Sequence, residues 1–221
     1  MHSCRGDATL AGKVGLDMDG FHAAAQASWA PLERVSVAAA GFAASHTSEY
    51  THEGIGYLEA GPGFRLATSP PFHIDVYLLA GAGTLTVRDD SPDDLTGRIK
   101  ADIRRHAIQP VASWIHEEFE LGASLRLEQL RYHDVRGDFV ARQTAAVSDR
   151  GIKVYLREHE RMMIFEPAVT LRSGSALEFL PGLRVLFQTG LSRNLTKPDF
   201  HQKEWWLAAG LVYVHKASRN R

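Results

Sequence analysis

The stretch "HTSEY", residues 46 to 50, is the most enzyme-like in the chain. His46 and Ser48 lie two residues apart, so on an extended backbone they share a face, with Glu49 close by. A hydroxyl, an imidazole and an acid so placed are the parts of an activated nucleophile for acyl transfer. His46, His52 and Glu53 also have ligand chemistry for a divalent metal, as does "REHER", where His159 sits between Glu158 and Glu160. Neither spacing matches the helical two-histidine pattern of a zinc protease, and no glycine-framed nucleophile motif surrounds Ser48. Both stretches read more simply as polar connections at strand ends. No catalytic, metal-ligating or cofactor-binding residue is assigned from them.

The totals narrow the classes further. With 25 basic against 26 acidic residues and no long basic run, the chain lacks the charge to track phosphates along a nucleic acid. Cys4 is the sole cysteine, which excludes an internal disulfide and a zinc site built on several thiolates. It stands in "MHSC", where a small residue before cysteine resembles the end of a lipoprotein signal whose leader has been lost or trimmed; an incidental thiol in a loose N-terminus is the simpler reading. "RGD" at Arg5 to Asp7 is too short to carry an adhesion function. No apolar run approaches the roughly 20 residues of a membrane-spanning helix, so any crossing must use strands.

The elements that would position these residues are extended. "FELGASLRLEQ", residues 119 to 129, sets Phe119, Leu121, Ala123, Leu125 and Leu127 on one face against Glu120, Ser124, Arg126 and Glu128 on the other. A period of two means a strand, because successive side chains leave the backbone on opposite sides. The same alternation separates Leu58, Phe64 and Leu66 from Glu59 and Arg65 in "GYLEAGPGFRLA", and Phe72, Ile74, Val76 and Leu78 from His73, Asp75 and Tyr77 in "FHIDVYLLAGAG". Adding "TLAGKVGLDM", "FHAAAQASWA", "VSVAAAGFAAS", "RRHAIQPVASWI", "MIFEPAVTLR", "LRVLFQTGLS" and "EWWLAAGLVYV" gives about ten strands, and an even number suits a bacterial single-chain barrel. Residues 1–7 read as a flexible N-terminal segment, 8–215 as a single barrel domain and 216–221 as a tail.

The connections alternate in character. "APLER", "TSPP" and "IHEE" are short, whereas those near 45 to 53, 86 to 100 and 133 to 157 are longer and polar. Outer-membrane barrels have this asymmetry, with short periplasmic turns and long external loops. Pro62, Pro110 and Pro167 oppose the reading, since proline cannot donate to a ladder and must sit at a bulge or strand end.

Through "RRHAIQPVASWIHEEFELGASLRL", "IFEPAVTLRSG", "FQTGLS", "WWLAAGLVYV", "EGIGYLEAGPGF" and "YLLAGAG", the chain resembles a group of uncharacterised small outer-membrane β-barrel proteins of Gram-negative bacteria. The resemblance implies an all-β, antiparallel, up-and-down transmembrane barrel in the cell outer membrane, and it carries over no catalytic residues and no cofactor. The apolar face of residues 119 to 127 then meets lipid and the charged face meets the lumen, where Arg65, Arg172 and Arg184 stand against Glu59, Asp75 and Glu166. Arg126 should have a carboxylate neighbour, Glu166 first. Trp29, Trp114, Trp205, Trp206 and Tyr213 suit an interfacial girdle. The expected role is structural or surface-interacting, for a monomer with a narrow or plugged lumen, membrane lipid around it and an unidentified partner at its external loops. Two other readings compete: a soluble calycin-like barrel holding a small apolar ligand, with the faces reversed, and a membrane-embedded lipid hydrolase or protease.

Overall fold

A computed structural model of the chain describes residues 6–17, 20–47, 49, 51–90, 95–116, 118–141, 161–173, 182–196 and 205–216. Among them every regular element is a strand: β1 (Ala8–Asp17), β2 (Phe21–Leu32), β3 (Val35–Thr47), β4 (Thr51–Ser69), β5 (Phe72–Asp90), β6 (Leu95–Ile115), β7 (Phe119–Ala141), β8 (Arg161–Ser173), β9 (Leu183–Leu191), β10 (Arg193–Asn194) and β11 (Trp205–His215). From β1 to β8 each strand pairs antiparallel with the next. The ring closes through β8 to β9, β9 to β11 and β11 to β1. β10 resumes the β9 ladder after Ser192, with Arg193 opposite Phe165 in the register begun by Gly190 opposite Ala168. The wall therefore has ten strands, and closure leaves no edge to be paired by another chain.

The faces fall as an inverted protein. Leu58, Leu66, Phe72, Leu125, Phe187 and Leu211 are exposed on the outside, Leu58 by 73% and Leu125 by 51%, while Glu59, His73, Arg105, Glu120 and Glu128 are buried within. Such a belt is stable against hydrocarbon and not against water. This overturns the soluble alternative, in which the apolar faces would fill the interior.

Two expectations need correction. The polar stretch 86 to 100 and the first part of 133 to 157 are strand rather than loop: β5 continues to Asp90, β6 starts at Leu95 and β7 runs to Ala141, while residues 142–160 lie outside the described residues. β7 is 23 residues long, about twice the 9–11 that cross a bilayer. Pairing persists past the belt, as in Thr86 opposite Lys100 and Arg88 opposite Arg98, but the outward residues there are polar. We call this the outer end; Ala8 and His215 pair at the inner end.

The prolines are not at bulges either. Register shifts occur at Trp29/Leu32, Arg65/Ala67 and Lys100/Asp102. Pro62, Pro110 and Pro167 instead lie at short gaps in one flanking ladder, after which pairing resumes in the same register. Each keeps its partner on the other side: Val37, Val76 and Leu125. A missing N–H is thus confined to one neighbour without re-aiming the strand.

Candidate functional site

The middle of the barrel is filled by side chains from β1, β4, β6, β7, β8, β9 and β11. Gly81 and Gly83 on β5 face inward, opposite Glu59 and Tyr57 of β4, and Gly81 lies opposite Arg105 of β6. A Cβ on Gly83 would stand 2.1 Å from the Gly56 carbonyl oxygen, and one on Gly81 2.5 Å from that of Leu58. The bare backbone lets Tyr57 and Arg105 meet across β5, with the guanidinium carbon 3.4 Å from the ring centre. A planar cation on an aromatic face is an attractive arrangement, more so once water is excluded.

Arg126 is the hub. Its Nη1 and Nη2 donate to Glu59 Oε1 and Oε2 at 2.8 and 2.6 Å, a forked pair across the lumen. Its Nε donates to Glu128 Oε2 at 3.0 Å and lies 3.6 Å from Glu166 Oε2. Glu128 is wholly buried and also accepts from Arg105. Ser192 donates to Glu166 at 3.1 Å, and Lys13 donates to Gln188 while lying 5.2 Å from the Trp206 ring centre. Three cations, Lys13, Arg105 and Arg126, thus stand among three carboxylates, Glu59, Glu128 and Glu166. Buried charge is tolerable only when matched in this way.

Toward the inner end a second layer joins Arg172 and Arg184 to Glu120 at 2.7 and 3.7 Å, and Arg65 to Asp75 at 3.0 Å. Below it a pocket of about 80 Å³ is lined by Asp7, Arg65, Asp75, Tyr77 and Arg184 among others. Toward the outer end the lumen turns apolar. Ile99, Ala101, Ile103, Leu130, Tyr132, Met162 and Ile164 form a buried cluster inside the wall, packed against Ile55, Leu85 and Val135. Charge below and hydrocarbon above fill the barrel with side chains, as a small barrel permits.

The lumen expectations stand with one refinement. Arg126 does have Glu166 opposite it on the neighbouring strand, yet Glu59, three strands away on β4, makes the closer contact. Trp29, Trp205 and Tyr213 face outward as girdle residues, and Trp114 packs edge-on to Phe119 at 5.2 Å. Trp206 departs from the girdle: it faces the lumen, beside Lys13 and edge-on to His22 at 6.1 Å.

Only some of the enzyme-like residues are described. His46 lies opposite Glu53 in the β3–β4 ladder, and His52 is exposed and 3.3 Å from the Thr47 hydroxyl. Ser48, Glu158, His159, Glu160 and Cys4 lie outside the described residues. Among the described residues no cluster of histidine, cysteine and carboxylate side chains could hold a metal ion. The apolar cluster was missed from sequence, although a signal exists. Along β7 the apolar positions are odd from Phe119 to Leu127 and even at Leu130 and Tyr132.

No protein-family model matches the chain, and no curated protein matches it in sequence. Its structure is similar to the translocator domain of the autotransporter NalP from Neisseria meningitidis, with a TM-score of 0.55 at 9% identity over 98% of this chain and 90% of that one. It is also similar to the outer membrane protease OmpT from Escherichia coli, with a TM-score of 0.52 at 10% identity over 95% and 94%. At such identities the likeness is one of fold. The closed wall, its outward apolar belt and its inward charge are those of a β-barrel of the cell outer membrane.

Proposed function

We propose that the chain is a monomeric, non-conducting outer-membrane barrel that works through the surfaces it presents to lipid and at its outer end, as a structural or surface-interaction protein. One observation carries this: the apolar cluster of Ile99, Ile103, Leu130, Tyr132, Met162 and Ile164 lies inside the lumen, directly above the Arg126 network. An ion entering from the outer end would meet hydrocarbon first and matched charge next. Both raise its energy, the first by desolvation and the second because each charge it meets already stands against one of opposite sign. The long outer halves of β4 to β7, held rigid by that cluster, form a platform for a partner outside the membrane.

The test is planar-bilayer recording of the purified, refolded chain in a salt gradient. The reading expects a silent bilayer after insertion has been verified by protease protection of the strands. Stepwise conductance of uniform size would overturn it.

A further inference from the structure

The lumen is not filled evenly. β6, β7 and β8 send in the long side chains of Arg105, Arg126, Glu128 and Glu166, whereas β1, β2 and β3 send in mostly short ones. Thr9 lies opposite Ser28, and Ser28 opposite Ala38. One row farther from the inner end Ala11 lies opposite Gln26, and Gln26 opposite Ala40. On β4 the wall continues with Gly63 opposite Ser36 and Gly61 opposite Ala38. Gln26 shows the result. It faces inward in phase with His22 and Ala30, which are buried, and yet it is exposed, so open space stands in front of it. Among the described residues neither the Gln26 amide nor the Ser28 hydroxyl has a hydrogen-bond partner.

This space adjoins the pocket at the inner end, because Thr9, Ser28, Ser36 and Tyr77 line that pocket and Gln26 stands two residues above Ser28 on the same face. It is blind at the other side. There Trp206 lies edge-on to His22, His22 stacks on Phe42 at 5.8 Å and Phe42 on Tyr57 at 5.0 Å, while Glu59, opposite Ala40, is held by Arg126. Charge is confined to the mouth and has both signs: Arg65 is bonded to Asp75, Arg184 stands 3.7 Å from Glu120, and Asp7 and Lys216 share the rim. The mouth therefore selects neither anions nor cations. Deeper in, an entering charge would meet Ala11, Gln26 and Ala40, with Arg126 and Glu59 already committed to each other, and would lose its hydration without gaining a counter-charge. A hydroxyl suits the place better. It donates and accepts at once, as do an amide and a serine hydroxyl, and Tyr77 adds an aromatic surface for the C–H side of the same molecule.

We propose that this recess is a binding site for a small uncharged polyhydroxylated molecule, of the monosaccharide class, which enters from the inner end and is held by the Gln26 amide and the Ser28 hydroxyl. The inference goes beyond the sealed-lumen reading. Entry from the inner end requires no passage through the barrel, so the site stands or fails apart from the conductance result.

The experiment is saturation-transfer NMR on the full chain in lipid nanodiscs, with protein-free discs as the blank. The probes are glucose and glucuronate, which differ by one carboxylate. Glucose should receive saturation from the wild type above the blank and should bind more tightly than glucuronate. Gln26→Leu, which keeps the bulk and removes both hydrogen-bonding groups of the amide, should weaken glucose binding about tenfold. Ala25→Val, on the lipid face of the same strand, should leave it unchanged. Heat-modified gel mobility checks that each variant is folded, and Gln26→Glu, of the same size, provides a second variant that should also weaken glucose binding. No transfer to glucose above the blank, or undiminished binding by both Gln26 variants, would overturn the site. Glucuronate binding as tightly as glucose, or more so, would overturn the assignment to an uncharged ligand.

Discussion

Glu59 and Arg126 are 67 positions apart in sequence and share a forked ion pair in the lumen, at 2.6 Å for its shorter arm. Sequence reading reached Glu166 first because adjacent-strand partners follow from alternation and order alone. A partner across the barrel depends on how far the wall curves and on which side chains between are small, here Gly81. Removing one member of such a pair leaves the other buried and unmatched, which costs about 3–5 kcal/mol, more than an exposed pair contributes. Arg126→Met should therefore lower stability by about that amount in urea titrations of the lipid-embedded barrel. Adding Glu59→Gln should recover part of the loss rather than deepen it, because the stranded carboxylate is gone. A double variant at least as unstable as the sum of the single ones would contradict this pairing.

At the scale of elements, the barrel's exterior was legible because hydrocarbon imposes one rule on every outward residue in the belt. The length of β5, β6 and β7 was not, since their outer halves are as polar in composition as loops. The physical reason is that water replaces lipid outside the belt while packed side chains continue inside. The alternation therefore reverses phase instead of ending, as from Leu127 to Leu130 on β7 and from Ile103 to Ile108 on β6. Glycine placement was equally opaque, because a residue's absence of side chain says nothing about which neighbour needs the room. Gly83→Val tests that link: its branched side chain would collide with the β4 backbone beside Tyr57. The expected outcome is a chain that fails to refold in detergent, seen as loss of heat-modified gel mobility, whereas Gly54→Ala, whose added Cβ would meet nothing within 4 Å, should refold normally.

For the whole molecule, strand order and closure fix which connections share an end. The connection between β5 and β6 lies at the outer end and the Glu33–Arg34 turn at the inner end. An epitope tag placed between Asp90 and Leu95 should bind antibody on intact cells, and one placed between Glu33 and Arg34 only after the membrane is opened. The reverse pattern would invert the orientation.

The central claim is that this barrel wears its apolar side outward and its charge inside, and two adjacent residues test it together. Trp205 is about half exposed on the belt, while Trp206 points into the lumen beside Lys13. Two variants each keep one of these as the sole tryptophan, the others being replaced by phenylalanine, and their fluorescence is read in vesicles of brominated lipid. The account predicts strong quenching of Trp205, which touches the acyl chains, and little quenching of Trp206, which the wall shields. Quenching of Trp206 with Trp205 spared, or of neither, would contradict it.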